Sequence, residues 1–220
     1  MAKTRALKLP LLTKTKNNKE NNMAIDIAEI KRLRELTGVG MTDAKRALDE
    51  ANGDFDKALA EMRKKGMTKA EKRGEQEARA GVIGTYLHDN RIGVIVEVNS
   101  ETDFVARNEM FAVIVKDIAM HIAASDPEYV TVDQVPEAAR EEKRAEFTEK
   151  VKNEGKPENM VPQIVDGMLK KYFAEKCLLE QPFIKNPDQT VGQYVKENIA
   201  KLGENIVIRR FSRMALGEVA

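Results

Sequence analysis

Cysteine and histidine are nearly absent from this chain of 220 residues, which has one cysteine, Cys177, and two histidines, His88 and His121. A single thiol cannot close an intramolecular disulfide, which fits a reducing compartment and points to a cytoplasmic location. So few histidines and cysteines leave a zinc cluster little to draw on, and no metal site is expected. Long apolar runs are missing as well. No stretch approaches the roughly 18 residues of a membrane span, which excludes transmembrane anchoring. The sequence has no phosphate loop of the GxxxxGK[ST] type, no HExxH and no G-x-S-x-G. Gly155-Lys156-Pro157 is the nearest approach to a phosphate loop, and it lacks both the preceding glycines and the Ser or Thr. These absences argue against an enzyme, against a cofactor and against nucleotide binding by the chain itself.

What is present is charge. Charged residues make up 33% of the chain and hydrophobic ones 42%, a balance that suits a helix-rich soluble protein of one sizeable domain or two small ones. The 37 basic and 36 acidic side chains leave a net charge of only +1. That near-neutrality hides a split. Residues 1–22 carry six basic side chains and one acid, a net of +5, so residues 23–220 are at −4. The tail lacks the apolar stretch and cleavage site of a secretory signal. It reads as a disordered basic extension ahead of a start at Met23, with an organelle transit peptide or a nucleic-acid-binding arm as the functional alternatives.

Ile27, Ile30, Leu33 and Leu36 place an apolar stripe on a first short helix. Thr37-Gly38-Val39-Gly40-Met41 breaks it, and Thr42 is a plausible N-cap for a second helix with Ala44, Ala47, Leu48 and Ala51 inward. Asn52-Gly53-Asp54 restarts the chain into a third helix, with Phe55, Ala58, Leu59 and Met62 inward and an end near Gly66. Residues 23–66 thus read as a three-helix module and residues 67–80 as a charged linker.

The pattern then changes. Gly81 to His88 and Ile92 to Val98 read as strands joined by the turn Asp89-Asn90-Arg91, an antiparallel hairpin. Ile206 to Met214 is a third strand, with Ile206, Ile208 and Arg210 on one face and Val207, Arg209 and Phe211 on the other. It completes a small sheet, because a hairpin alone is weak. Phe111, Ile114, Val115, Ile118 and Ile122 mark a helix that covers one face, with His121 beside the stripe as a core or boundary residue. Residues 136–176 read as a helical hairpin excursion whose highly charged first arm is a solvated face. The fold class is α+β, with residues 81–220 forming the mixed core.

Between the second strand and the long helix runs Asn99-Ser100-Glu101-Thr102-Asp103-Phe104-Val105-Ala106-Arg107-Asn108. Ser100 followed by Asp103 has the form of a capping box, and acids near a helix N-terminus are favoured by its dipole. Phe104 read locally is a packing residue at the helix entry. These readings need no function.

Thr102 to Asn108, however, resembles the signature of elongation factor Ts, and it stands directly after the expected strand. Further matches are Leu36-Thr37-Gly38-Val39-Gly40-Met41, Ala44-Lys45-Arg46-Ala47-Leu48, Arg91-Ile92-Gly93-Val94, Leu179-Glu180-Gln181-Pro182-Phe183 and Ile208-Arg209-Arg210-Phe211. The resemblance spreads over 23–217, and it makes residues 23–66 the ubiquitin-associated-like module of that family. It implies guanine nucleotide exchange on elongation factor Tu during translation. In that picture Phe104 wedges between helices of the GTPase and dislocates its Mg²⁺, with Asp103 as polar companion and Thr102 and Val105 completing the segment. Gly38, Val39, Gly40, Met41, Arg107 and Asn108 are candidate further contacts, although Gly38 and Gly40 read equally as turn formers. One set of strands and one wedge motif resembles the short form of the family, which implies a homodimer. Cys177 then reads as a buried reduced thiol or, less simply, a cross-link in that dimer. The competing functions are a ubiquitin-associated-type protein-binding adapter and an RNA- or ribosome-binding protein using the basic tail.

Overall fold

The computed structural model describes residues 26–218, so the basic extension at 1–22 lies outside the described residues. Those residues form α1 (Ile27–Thr37), α2 (Met41–Glu50), α3 (Phe55–Arg73), β1 (Ala80–His88), β2 (Ile92–Ser100), α4 (Asp103–Ala106) and α5 (Glu109–Ser125). After them come α6 (Glu137–Asn153), α7 (Val161–Lys176), β3 (Pro182–Phe183), β4 (Asn186–Thr190), α8 (Val191–Leu202) and β5 (Ile206–Ala215). The fold is α+β.

The first three helices close on a small core of Ile30, Leu33, Ala44, Ala47, Leu48, Ala58 and Met62. Asp26 caps α1 through its side chain and Asp54 caps α3, each accepting a backbone N–H that the first turn leaves unpaired. Thr42 does not cap α2. The helix begins two residues earlier than that cap implies, at Met41, with Gly40 at the N-cap and no side-chain hydrogen bond.

Helix α3 also runs beyond the end expected near Gly66, reaching Arg73, so the first half of the charged stretch at 67–80 is helical. Glycine in a helix interior costs about 1 kcal/mol relative to alanine. Here the bare Cα serves packing: a Cβ on Gly66 would lie only 3.3 Å from the Cβ of Ala200 on α8. The glycine marks the close approach of two helices, which offsets its poor propensity.

The three-stranded sheet has the order β1-β2-β5, both pairs antiparallel. The β1–β2 turn holds Asp89 and Asn90 at φ 48° and 56°, with the Arg91 N–H donating to the His88 carbonyl at 2.9 Å. Positive φ at both central residues is the turn form whose twist suits a hairpin. Val94, Val96 and Val98 point to one face, where they join Phe111, Ile114, Val115, Ile118 and Ile122 of α5 in the main core.

In β5 the strict alternation expected from sequence fails. The register slips between Glu97 and Val98, so that Val98 faces Ile208 while Glu97 faces Arg210, and Arg209 is the extra residue of a bulge. Past the bulge the faces exchange, and Phe211 packs on the core side with Ile208. Arg209 is re-aimed across the end of the sheet, where Nε donates to Asn99 Oδ1 at 3.1 Å and Nη2 to the Ala78 carbonyl at 3.2 Å.

Helices α6 and α7 pair through their own cluster of Val151, Val161, Val165 and Leu169, as the excursion at 136–176 requires. The α8 helix had no counterpart in the sequence reading. Its signals are nonetheless there: Thr190 and Gln193 form a reciprocal capping box, and Gly203 at φ 75° stops the helix.

Candidate partner-binding site

The segment from Thr102 to Val105 sits where β2 gives way to the helices. Its cap differs from the one expected. Ser100 does not cap; its Oγ donates to the Thr102 carbonyl at 2.9 Å. Thr102 is the N-cap of α4, its hydroxyl accepting from the Val105 N–H at 3.4 Å. Asp103 lies in the first turn, exposed, where the helix dipole favours an acid.

Val105 and Ala106 are buried and anchor the turn to the core. Phe104, just before them, is not: 83% of its surface is exposed. The expectation of a packing residue at the helix entry therefore fails. An isolated, almost fully exposed phenylalanine on an ordered turn wastes its apolar area unless something outside the chain covers it.

The turn is held from two sides. On the downstream side, Arg107 is the exposed C-cap of α4, its N–H donating to the Asp103 carbonyl at 3.2 Å. Asn108 caps α5, its Oδ1 accepting from the Met110 N–H at 2.8 Å. Asn108 thus has a structural task of its own. On the upstream side, Glu204 accepts from the Thr102 N–H at 3.1 Å and from the Thr102 hydroxyl at 2.7 Å. Glu101 accepts from the Asn205 N–H at 2.6 Å and pairs with Arg73 Nε at 3.0 Å.

The glycine-rich segment of the N-terminal module meets the same neighbourhood. Gly38 takes the left-handed conformation, φ 70°, that ends α1, its N–H donating to the Arg34 carbonyl at 2.8 Å. A Cβ there would lie 2.9 Å from the Cα of Lys201 on α8. Gly38 is therefore both a turn former and the point where the module presses on α8. Val39 is half-buried, while Gly40 and Met41 are exposed. The two candidate segments thus adjoin the C-terminal end of one helix, Gly38 at Lys201 and Thr102 at Glu204. Arg73, Glu204 and Asn205, which build this junction with Glu101, have no sequence signal of this role, and Glu101 read only as an acid near a helix N-terminus. The one local signal was the helix stop Leu202-Gly203; the long-range partners of these side chains have none.

The rest of the ionisable chemistry is structural. His121 is buried, with Nε2 at 2.9 Å from Gln181 Oε1 and Nδ1 accepting from the Ile184 N–H at 3.2 Å. Burial lowers its pKa below the ordinary value. Cys177 is fully buried, and desolvation pushes its thiol up to about 11. A neutral, buried thiol is a poor nucleophile, which argues against a cross-link through it. Among the described residues no group of three or more His, Cys, Asp or Glu side chains is placed to hold a metal ion, and no helix is long and apolar enough to cross a membrane.

Comparison with known proteins decides the family. The family model for elongation factor Ts matches residues 21–218. The chain belongs to the elongation factor Ts family. It is 48% identical over 197 residues to elongation factor Ts of Geobacter sulfurreducens, covering 89% of this chain and 91% of the relative. Elongation factor Ts of Acetivibrio thermocellus is 53% identical over 190 residues, covering 86% of this chain and 88% of the relative. The corresponding protein of Carboxydothermus hydrogenoformans is 54% identical over the same length and coverage. The family is one of translation elongation factors, and the exposed Phe104 turn lies inside the matched region.

Proposed function

We propose that this protein is a cytoplasmic guanine nucleotide exchange factor for elongation factor Tu, with Thr102, Asp103, Phe104 and Val105 as the segment that displaces the partner's Mg²⁺. The observation that carries this reading is the Phe104 ring, 83% exposed on a turn whose neighbours Val105 and Ala106 are buried. Burying such a ring in a partner contributes about 1.5–3 kcal/mol. That is enough to help hold a distorted GTPase and too little to do so alone, so Gly40, Met41, Asp103 and Arg107, all exposed, share the contact. Thermodynamic coupling is reciprocal: a factor that binds the nucleotide-free GTPase best weakens GDP binding by the same factor. Exchange of this kind makes and breaks no covalent bond. It needs neither a catalytic acid or base nor a nucleotide site on this chain.

The working unit in this reading is a homodimer. Ile83 and Leu87 of β1, Ile95 of β2 and Met214 of β5 lie on the sheet face opposite α5, each between 55% and 75% exposed. Exposed apolar side chains gathered on one sheet face are a candidate interaction surface, and a second copy offers the same face in return.

The test is release of a fluorescent GDP analogue from elongation factor Tu in the presence of this protein. Wild type accelerates release, and Phe104→Ala loses most of that acceleration while keeping its far-UV circular dichroism. Equal acceleration by the mutant would remove the wedge assignment.

A further inference from the structure

A four-residue helix is not stable by itself, because nucleating a helical turn is unfavourable. Helix α4, Asp103–Ala106, is such a helix, and it carries a ring with almost no support from its own chain. A partner pressing on Phe104 therefore loads the backbone of the turn. Downstream that backbone is fixed by buried Val105 and Ala106 and by the Asn108 cap. Upstream, Thr102 is the hinge, and the contact that reaches it from a distant part of the chain is Glu204, which grips both the N–H and the hydroxyl.

Glu204 is itself firmly placed. It follows Gly203, whose left-handed conformation ends α8, with the Gly203 N–H donating to the Ile199 carbonyl at 2.8 Å. The next residue, Asn205, is buried and reaches two further segments. Its N–H donates to Glu101 and its side-chain amide to the carbonyls of Gly74 at 3.3 Å and Gln76 at 2.7 Å. The 203–205 turn thus joins the end of α3, the loop before α4 and the start of β5. Arg73 Nε on Glu101 Oε1 closes the link to the N-terminal module.

Building on the wedge reading above, we propose that Glu204 is a positioning residue for exchange, locking the Thr102 hinge so that force on Phe104 is resisted by α8. The physical need for such a lock is general. A ligand shifts an equilibrium only by its differential affinity for the two states. A slack Phe104 would follow the GTPase through both states and bind them alike, whereas a fixed one binds well only where the partner has yielded. Stiffness of the turn therefore governs the release rate at saturation more than it governs association.

The experiment measures fluorescent GDP release from elongation factor Tu as a function of the concentration of the full-length protein. Glu204→Ala removes two hydrogen bonds, and the maximal release rate falls about tenfold. The half-saturating concentration moves by less than about threefold, since that loss is directed at the nucleotide-free state. Glu204→Gln restores most of the rate: its carbonyl accepts the Thr102 N–H and its amide donates to the Thr102 hydroxyl. Thr102→Val removes the hydroxyl arm from the other side together with the α4 cap that accepts the Val105 N–H, and it shows a loss of the same kind. Unchanged far-UV circular dichroism of Glu204→Ala guards against misfolding of the first variant. Glu204→Ala with wild-type kinetics overturns the proposal. So does Glu204→Gln as slow as Glu204→Ala, because charge rather than positioning would then be what matters. If Phe104→Ala is slow and Glu204→Ala is fast, the wedge stands and the lock falls. If the wild type fails to accelerate release at all, the wedge reading falls and the lock with it.

Discussion

The Phe104 turn and the outer sheet face both expose apolar side chains, and they do so in opposite ways. Around Phe104 the apolar surface is a single ring on a turn held by polar contacts to Glu204 on one side and by the Asn108 cap on the other. On the outer sheet face it is spread over Ile83, Leu87, Ile95 and Met214, fixed by regular strand pairing. A spread patch suits permanent association, where buried area supplies the stability. A single ring is too small for that and suits a contact that must let go. Under the proposed function, the contrast separates a surface for assembly from a point for exchange. Substitutions should therefore move one property without the other.

The largest expected effect is on assembly. Ile95→Glu combined with Met214→Glu places two carboxylates per subunit in the proposed dimer interface, and burying unpaired charges is strongly unfavourable. Light scattering at micromolar concentration should give the monomer mass for this variant and the dimer mass for the wild type and for Phe104→Ala. A wild type that is already monomeric would remove the assembly half of the comparison. A smaller effect grades the other half. Phe104→Leu keeps part of the apolar volume but not the ring, so its GDP-release rate should fall between wild type and Phe104→Ala, about threefold to tenfold below wild type. Because position 104 is exposed, both substitutions there should leave the thermal midpoint almost unchanged. A shifted midpoint would mean that Phe104 supports the fold.

The hairpin was readable in the sequence and the Glu204 contacts to Thr102 were not, for physical reasons. β-Branched runs in β1 and β2 and the Asp89-Asn90-Arg91 turn are local signals, and they led to the hairpin. The same reasoning failed in β5 beyond Arg209, because a bulge is decided by the partner strand rather than by the strand that bulges. It also failed at Gly66, where tight packing on Ala200 outweighs helix propensity. Ser100 and Thr102 are both good capping residues, and only the path of the chain into Glu204 selects Thr102. The exposed Phe104 turn could be located by resemblance alone. Its neighbours in space come from residues about a hundred positions away, which no local pattern records.

The smallest predicted effect concerns helix α5, on which both regions depend: Asn108 at its start closes the Phe104 turn, and its apolar face lies beneath the sheet. His121 ties this helix to the two residues that flank β3, Gln181 before it and Ile184 after it. Because Ile184 N–H donates to Nδ1, that nitrogen carries no proton, and the hydrogen in the Nε2 contact must point toward Gln181 Oε1. The ring is therefore neutral in the fold. Asp117, one turn earlier, does not favour its protonation strongly, because it is already paired with Lys185 at 2.5 Å and bonded by the Tyr194 hydroxyl at 3.1 Å. With the folded pKa below the unfolded value of 6.5, this histidine's contribution to stability is complete above that value. It is lost as the pH falls toward the folded pKa, when Nδ1 gains a proton and the Ile184 N–H loses its acceptor. The cost is about 1–2 kcal/mol, a few degrees in thermal midpoint. Melting curves between pH 7.5 and 5.5 should show this decline, and His121→Gln should flatten it. A wild type whose midpoint is the same across that range would show that α5 does not depend on the neutral ring.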